Sequence, residues 1–555
     1  MKPGLLRGGY GNPLKFALIA FSCGALSFFS GWSSGDEHEQ DDSPAPLTVP
    51  KATCGENDHP ETALQGQVTA AMRAAGFQGF NCNLKLVGQS RGDGANWQST
   101  EFRDEHHHIC AYHGTSFSTA NRTHLGVPVI DVTEPEAPTP TGYLATTSML
   151  DPWESLKVNE RRQLLAADNA HNGGFGTDGG PEVDIYDVSG DCRSPQLLAT
   201  VAVGKSDGST GLAHPVIGHE GSWAPDGLTY YGGDLRYAYT VPGSTATATG
   251  QYYAVDTTDP THPSLIAAWT INIAASNVHG MSISDDGNRG YFVSLGTSGG
   301  ASGLTDPNQP ANDGLLIYDL SQIQARVPNP QVRLVSKLLW KDGSGAQHTI
   351  AVKIDGKPYV IFVDEAGSGG FSSAAQRQAA CAAGFPPYPM ARIIDIRDET
   401  KPRIVSRLAL ETHNPANCAK VLPDLVGLSI FTYGSHYCSV DNIHHATTLA
   451  CGYFNSGIRV FDIRNPHHPK EIAYYNPAGE TTLSPGSNHN NIFSSNFVSG
   501  GPDWCSAQVH LRISEDHGRQ GTLWTTCQDN GLLMLKFENG VWPFEDSSTP
   551  PGQQN

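Results

Sequence analysis

One pattern recurs six times along the chain and constrains the fold more than any other feature. It reads VPVIDVTEPEAPTPTGYL at Val127–Leu144, VDIYDVSGDCRSPQLLATV at Val183–Val201 and YYAVDTTDPTHPSLIAAW at Tyr252–Trp269. It returns over Leu315–Leu338, Arg392–Leu408 and Ile458–Tyr475. Each copy is a β-rich run ending in Asp, then a polar turn with Pro, then a second apolar strand. Asp can accept from nearby backbone N–H groups and Pro fixes φ, so both suit the turn. Upstream of each copy lies another strand pair, often joined by Asp-Gly, as in SWAPDGLTYYGG and AVKIDGKPYVIFVD. Four strands per unit at a fixed repeat is the make-up of a propeller blade.

A seventh unit, Ala507–Phe537, has three strands and stops. Its missing outer strand is expected at the other end of the chain, where Asn83–Gln89 (NLKLVGQ) has no inner partner of its own. The expected fold class is therefore all-β: a seven-bladed β-propeller over 80–538, closed by an N-terminal outer strand. Closure leaves no open edge to template aggregation. The repeated strand-Asp-turn-Pro-strand signature resembles the LVIVD-repeat family of exported bacterial and archaeal propellers. The resemblance implies a propeller at the cell surface or beyond it, and no particular reaction; the fourth and seventh units depart most from the pattern.

Around that body the sequence suggests further segments. Residues 1–35 read as a signal peptide, with Lys2, Arg7 and Lys15 before the apolar run Phe16–Phe29. An uncleaved anchor is the competing reading. Residues 36–51 form an acidic Ser/Pro-rich linker, 52–79 an extension with an amphipathic helix over Pro60–Gly76, and 539–555 a tail. Loss of the signal removes Cys23 and leaves ten cysteines, an even number that suits disulfides in an oxidising destination. Cys54/Cys82, Cys438/Cys451, Cys505/Cys527 and Cys381/Cys418 are candidate pairs. A formal net charge of −20 argues against a nucleic-acid surface. The expected product is a secreted, periplasmic or cell-surface monomer, free of the membrane after cleavage.

Strand order places the short Asp-Gly and Asp-Pro turns on one face, called lower. The long insertions Gly296–Gly314, Glu365–Met390, Thr412–Ser435 and Ala478–Trp504 fall on the upper face, where loops on a rigid scaffold carry function. His219, His279 and His348 each precede an Asp-Gly hairpin by the same count, and His436 shares their register. Four imidazoles at the upper mouth of the channel could ligate Zn, Cu or Fe. The alternative is a set of histidines that hold blades together, as the Gly-His of WD-type propellers does. Glu220 and Glu365 are candidates for fixing the ligands' other ring nitrogens. His106–His108 and His444–His445 are read as adjacent strand residues unable to share one site, and His171, His413 and His489 as upper-loop residues. GxSxG, HExxH and Walker motifs are absent. Two functions follow. One is a binding or scaffold propeller whose looped face takes a protein, glycan or small molecule; the other is a metal-dependent oxidase or hydrolase centred on the histidines.

Overall fold

The structure, a computed structural model, describes residues 48–115, 123–170, 181–203, 218–296, 303–306, 308–368, 370, 374–426, 431–479, 501–514 and 520–545. The signal peptide, nearly all of the linker, His171, His489 and the end of the tail lie outside these residues. No helix among the described residues is long and apolar enough to cross a membrane.

Seven antiparallel four-stranded sheets form the body. Blades 1 to 6 occupy 99–144, 157–201, 221–270, 281–340, 344–407 and 438–476, each laid down from inner to outer strand. Blade 7 takes three strands from 510–537 and its outer strand, Leu84–Ser90, from the other end of the chain. Leu84 pairs with Phe537 and Ser90 with Leu532, so the expected ring closure is present.

The repeat has a local cause. In all six complete units the Asp closing the third strand accepts the backbone N–H two residues on: Asp131 from Thr133, Asp187 from Ser189, Asp256 from Thr258, Asp319 from Ser321, Asp395 from Arg397 and Asp462 from Arg464. Just past that turn, every outer strand carries a register shift against the third strand. The borrowed strand carries it too, between Leu86 and Gly88. Bulges deepen the local twist, and here they curl each blade edge alike. Neighbouring blades bury apolar side chains between them. Blade 7 meets blade 1 through the buried side chains of Ala111, Ile130, Val132, Trp524, Leu532 and Met534.

The N-terminal extension differs from expectation. Its helix covers only Ala70–Ala74, capped by Thr69. Gly66 at φ +83° interrupts the foreseen helix, and the Gln65 and Gly66 N–H groups donate to Glu411 and Glu61 instead. The segment docks on blade 6 and the 412–435 insertion: Arg73 donates to the carbonyls of Asp424 and Val426. Phe80–Cys82 also adds a fifth strand outside Lys470–Asn476 of blade 6.

Five cysteine pairs lie at disulfide distance: Cys54–Cys82, Cys110–Cys192, Cys381–Cys418, Cys438–Cys451 and Cys505–Cys527. Four match the sequence reading, and the fifth ties blade 1 to a turn of blade 2. Thiol titration of the purified protein under denaturing, non-reducing conditions is therefore expected to find at most the one thiol of Cys23. Two or more free thiols would contradict the pairing.

Candidate functional site

The innermost strands run down the channel from the upper face, and the residues just before them ring its mouth. Strand pairing aligns these positions. In blade 3, Thr229 pairs with Asp256 and accepts from the Ala224 N–H, and His219 stands five residues before Ala224. The same count from Ser284 in blade 4 and Asp441 in blade 6 gives His279 and His436. In blade 2 it runs from Asn159, paired with Leu164, to Glu154.

Blade 5 breaks the sequence-based count. Its Asp355-Gly356 turn is two residues long, with both φ positive, between the paired Ile354 and Lys357. The hairpin arms are thereby longer than in blade 3, and the aligned position is Gln347, the extra residue of a bulge between Ala346 and His348. His348 accordingly stands apart from the other three histidines. It stacks on Tyr437 at 4.6 Å, and its Nε2 lies 3.3 Å from the Cys438 carbonyl oxygen.

His219, His279 and His436 converge on Glu154. The His219 and His279 Nε2 atoms lie 3.3 and 3.5 Å from Glu154 Oε2, and His436 Nε2 lies 3.1 Å from Oε1. Glu365, at the end of the second strand of blade 5, approaches from the other side, 3.4 Å from His436 Nε2 and 3.8 Å from His279 Nε2. Backbone carbonyls set two of the tautomers. His436 Nδ1–H donates to Ser506 O at 2.8 Å, and His279 Nδ1–H to Gln347 O at 2.9 Å, with Glu220 Oε2 3.0 Å from the same nitrogen. Glu220 reaches it because residue 280 is glycine; a Cβ there would come within 2.4 Å of the Glu220 carboxylate. Both Nε2 atoms thus face the carboxylates. Glu220 holds a ring from behind, as expected, whereas Glu365 sits on the coordinating side.

All five residues of the cluster are buried. Burial disfavours ionisation of Glu154, but hydrogen bonds from His219 and His436 outweigh it and hold the carboxyl well below its usual range. Burial, reinforced by the charge of His219, pushes His279 down to about 3. For His436 burial is overcome by Glu154 and Glu365, which raise it to about 10. Burial raises Glu365 and, further, Glu220. Glu154 Oε2 lies between two imidazoles, and its atoms and theirs are near enough to share one ion. Donor atoms 2.0–2.2 Å from one tetrahedral ion stand about 3.3 Å apart, close to the nitrogen–oxygen separations here.

An aromatic cover of Trp97, Trp153, Phe431, Phe454 and Trp504 closes the cluster from above. Trp97 and Phe454 each approach the His436 ring at 5.2 Å, and Trp153 approaches His219 at 5.9 Å. Trp153 and Phe431 have φ of +47° and +71°, backbone that bulky residues adopt only under constraint.

The remaining histidines have local roles. His413 is buried, its Nδ1 accepting from Leu410 N–H and its Nε2 donating to Tyr433 O. His106–His108 occupy a turn and not a strand, because Asp104 captures the N–H groups of His106 and His108. His444 and His445 likewise sit in the turn after Cys438–Val440, their N–H groups held by Asn442.

No family model matches the chain, and no curated protein matches it. Solved structures similar to it include a Lactobacillus plantarum protein at 12% identity, TM-score 0.41, covering 76% of this chain and 98% of that one. Kuenenia stuttgartiensis hydrazine synthase aligns at 14% identity and TM-score 0.42, over 82% and 97% of the two chains. Chaetomium thermophilum Sqt1, bound to the N-terminus of ribosomal protein L10, aligns at 12% and 0.40, over 81% and 98%. The seven blades are established by this chain's own strand pairing.

Proposed function

We propose that the chain is an exported metal-dependent enzyme of the oxidase or hydrolase type, its ion ligated by His219, His279 and Glu154, with His436 and Glu365 alongside. The observation that carries this is the convergence of Glu154 Oε2 with the His219 and His279 Nε2 atoms, all buried and near enough to one another to share one ion. Two imidazoles and a carboxylate suit Zn, Cu or Fe. The bound ion would supply Lewis acidity or electron transfer; the chain supplies fixed ligand tautomers, a dry aromatic surround and loops for the substrate. Backbone strain in the cover favours a functional over a purely architectural cluster. The repeats support membership of the LVIVD-type propellers, and the cysteine pairs support an oxidising destination.

Elemental analysis after growth in metal-replete medium tests the centre. About one ion per chain is expected, lost in His279→Ala and kept in His348→Phe, with both variants checked for folding by circular dichroism. An absence of metal, or equal loss in His348→Phe, would overturn the ligand set. The complete burial of the cluster favours a second reading. In it, the histidines and carboxylates pin blades 2 to 6 together in a monomeric binding or scaffold propeller, and the upper face takes a protein, glycan or small molecule. That reading gains if no metal is found.

A further inference from the structure

Below the histidine layer the channel contains a cavity of about 100 Å³, separate from the candidate metal ligands. Its two ends differ in chemistry. Lys157, Glu220, His348 and Tyr437 line the end beneath the histidines. Trp223, Pro225, Ile283, Val440 and Ile443, at the ends of inner strands and in the turns after them, line the lower end. Three residues past the aligned ring position, blades 3, 4 and 6 carry Ser222, Ser282 and Ser439, and blade 5 carries Ile350. Blade 2 carries Lys157. Among these five blades, one ammonium enters a level otherwise made of hydroxyls and an alkyl group.

That ammonium has no counter-ion in contact. Among the described residues no hydrogen-bond acceptor or carboxylate pairs with Lys157 Nζ, which lies 5.3 Å from the centre of the Tyr437 ring. Burial lowers its pKa, Glu220 and Glu154 oppose that only through space, and Glu220 is committed to the His279 ring. A cation withdrawn from water without a partner is costly, and the cavity beside it can admit one. The Ser282 hydroxyl is shared with Thr349, and that of Ser439 donates to Val509 O. The Ser222 hydroxyl lines the cavity with no protein partner among the described residues. The lower end offers mainly alkyl, proline and indole surface, with the Asn159 amide committed to the Ala224 carbonyl. An occupant must therefore carry a small anionic head and a short apolar tail.

We propose that the lower channel binds a short aliphatic monocarboxylate, its carboxylate on Lys157 and Ser222 and its alkyl chain against Ile283, Val440 and Ile443. The site is independent of the metal reading, because none of the proposed metal ligands lines it.

Calorimetric titration of the purified protein with acetate, propionate, butyrate and hexanoate tests this. Saturable binding of one molecule per chain is expected. Affinity should rise about three- to fourfold per added methylene, following the transfer free energy of a CH₂ group. Lys157→Met should weaken butyrate at least tenfold, Lys157→Arg should retain it, and butylamine should not compete. Ile443→Asp should weaken hexanoate while leaving acetate unchanged. Thermal melts confirm that each variant is folded, and stripping metal with a chelator should leave the affinities unaltered. Undiminished butyrate binding in Lys157→Met, affinity independent of chain length, or competition by butylamine would each overturn the proposal.

Discussion

A chain that begins at Gly92 is expected to lose its cooperative fold, whereas one that begins at Ala52 keeps it. The shorter chain lacks Leu84–Ser90, so Gly531–Phe537 loses its outer partner and becomes an open edge. The apolar seams on both sides of blade 7 lose side chains as well, since Leu84 is fully buried against blade 6 and Val87 packs toward blade 1. Truncation also removes Cys54, Cys82 and the docked extension. A point variant isolates the strand: Leu84→Ala in the longer chain should cost about 2–5 kcal/mol, the range for a buried leucine. Thermal melting and analytical ultracentrifugation read both effects. A Gly92 chain that stays monomeric and melts with the longer one would refute the closure as a stabilising element.

Arg459→Leu should cost about 3–5 kcal/mol in urea unfolding, the range for breaking a buried ion pair from one side. The Arg459 guanidinium donates to Glu61 and Glu471 at 2.9 Å each and to the Ser456 carbonyl, over the face of Tyr474. Without it two buried carboxylates face each other, and Gln65, which donates to Glu471, is left on a repelling pair. Adding Glu61→Gln and Glu471→Gln to Arg459→Leu should recover part of the loss. If the single variant unfolds with the wild-type midpoint, the network contributes nothing to holding the extension.

The features legible in the sequence are those with local causes. Asp131 and its five counterparts mark their turns wherever they occur, because the carboxylate and the N–H it captures are two residues apart. The outer strand Leu84–Ser90 was recognisable because its pattern matched the other outer strands. Less legible was anything that depends on hairpin length. His348 lies at the same distance from Asp-Gly as His219, yet a tighter turn shifts the ring position to Gln347. Glu154 was hidden for two reasons: blade 2 has no Asp-Gly from which to count, and a carboxylate fills the place held by histidine in three other blades. Cys110–Cys192 joins blades that only the folded ring brings together, so spacing gave no sign of it.

The borrowed strand also sets the order in which the molecule can be finished. Leu84 is synthesised long before its partner, Phe537, and the pairing between them has the largest sequence separation among the described strand pairs. Six blades are built from neighbouring segments, while the seventh needs both Leu84–Ser90 and Gly531–Phe537. Such non-local pairing is slow, and during the wait an apolar strand stays unpartnered and liable to misassociate. Phe80–Cys82 shortens the search. By pairing with Lys470–Asn476 of blade 6 it holds Leu84–Ser90 beside the place that blade 7 takes. The last step then becomes a local capture and not a search by a free chain end.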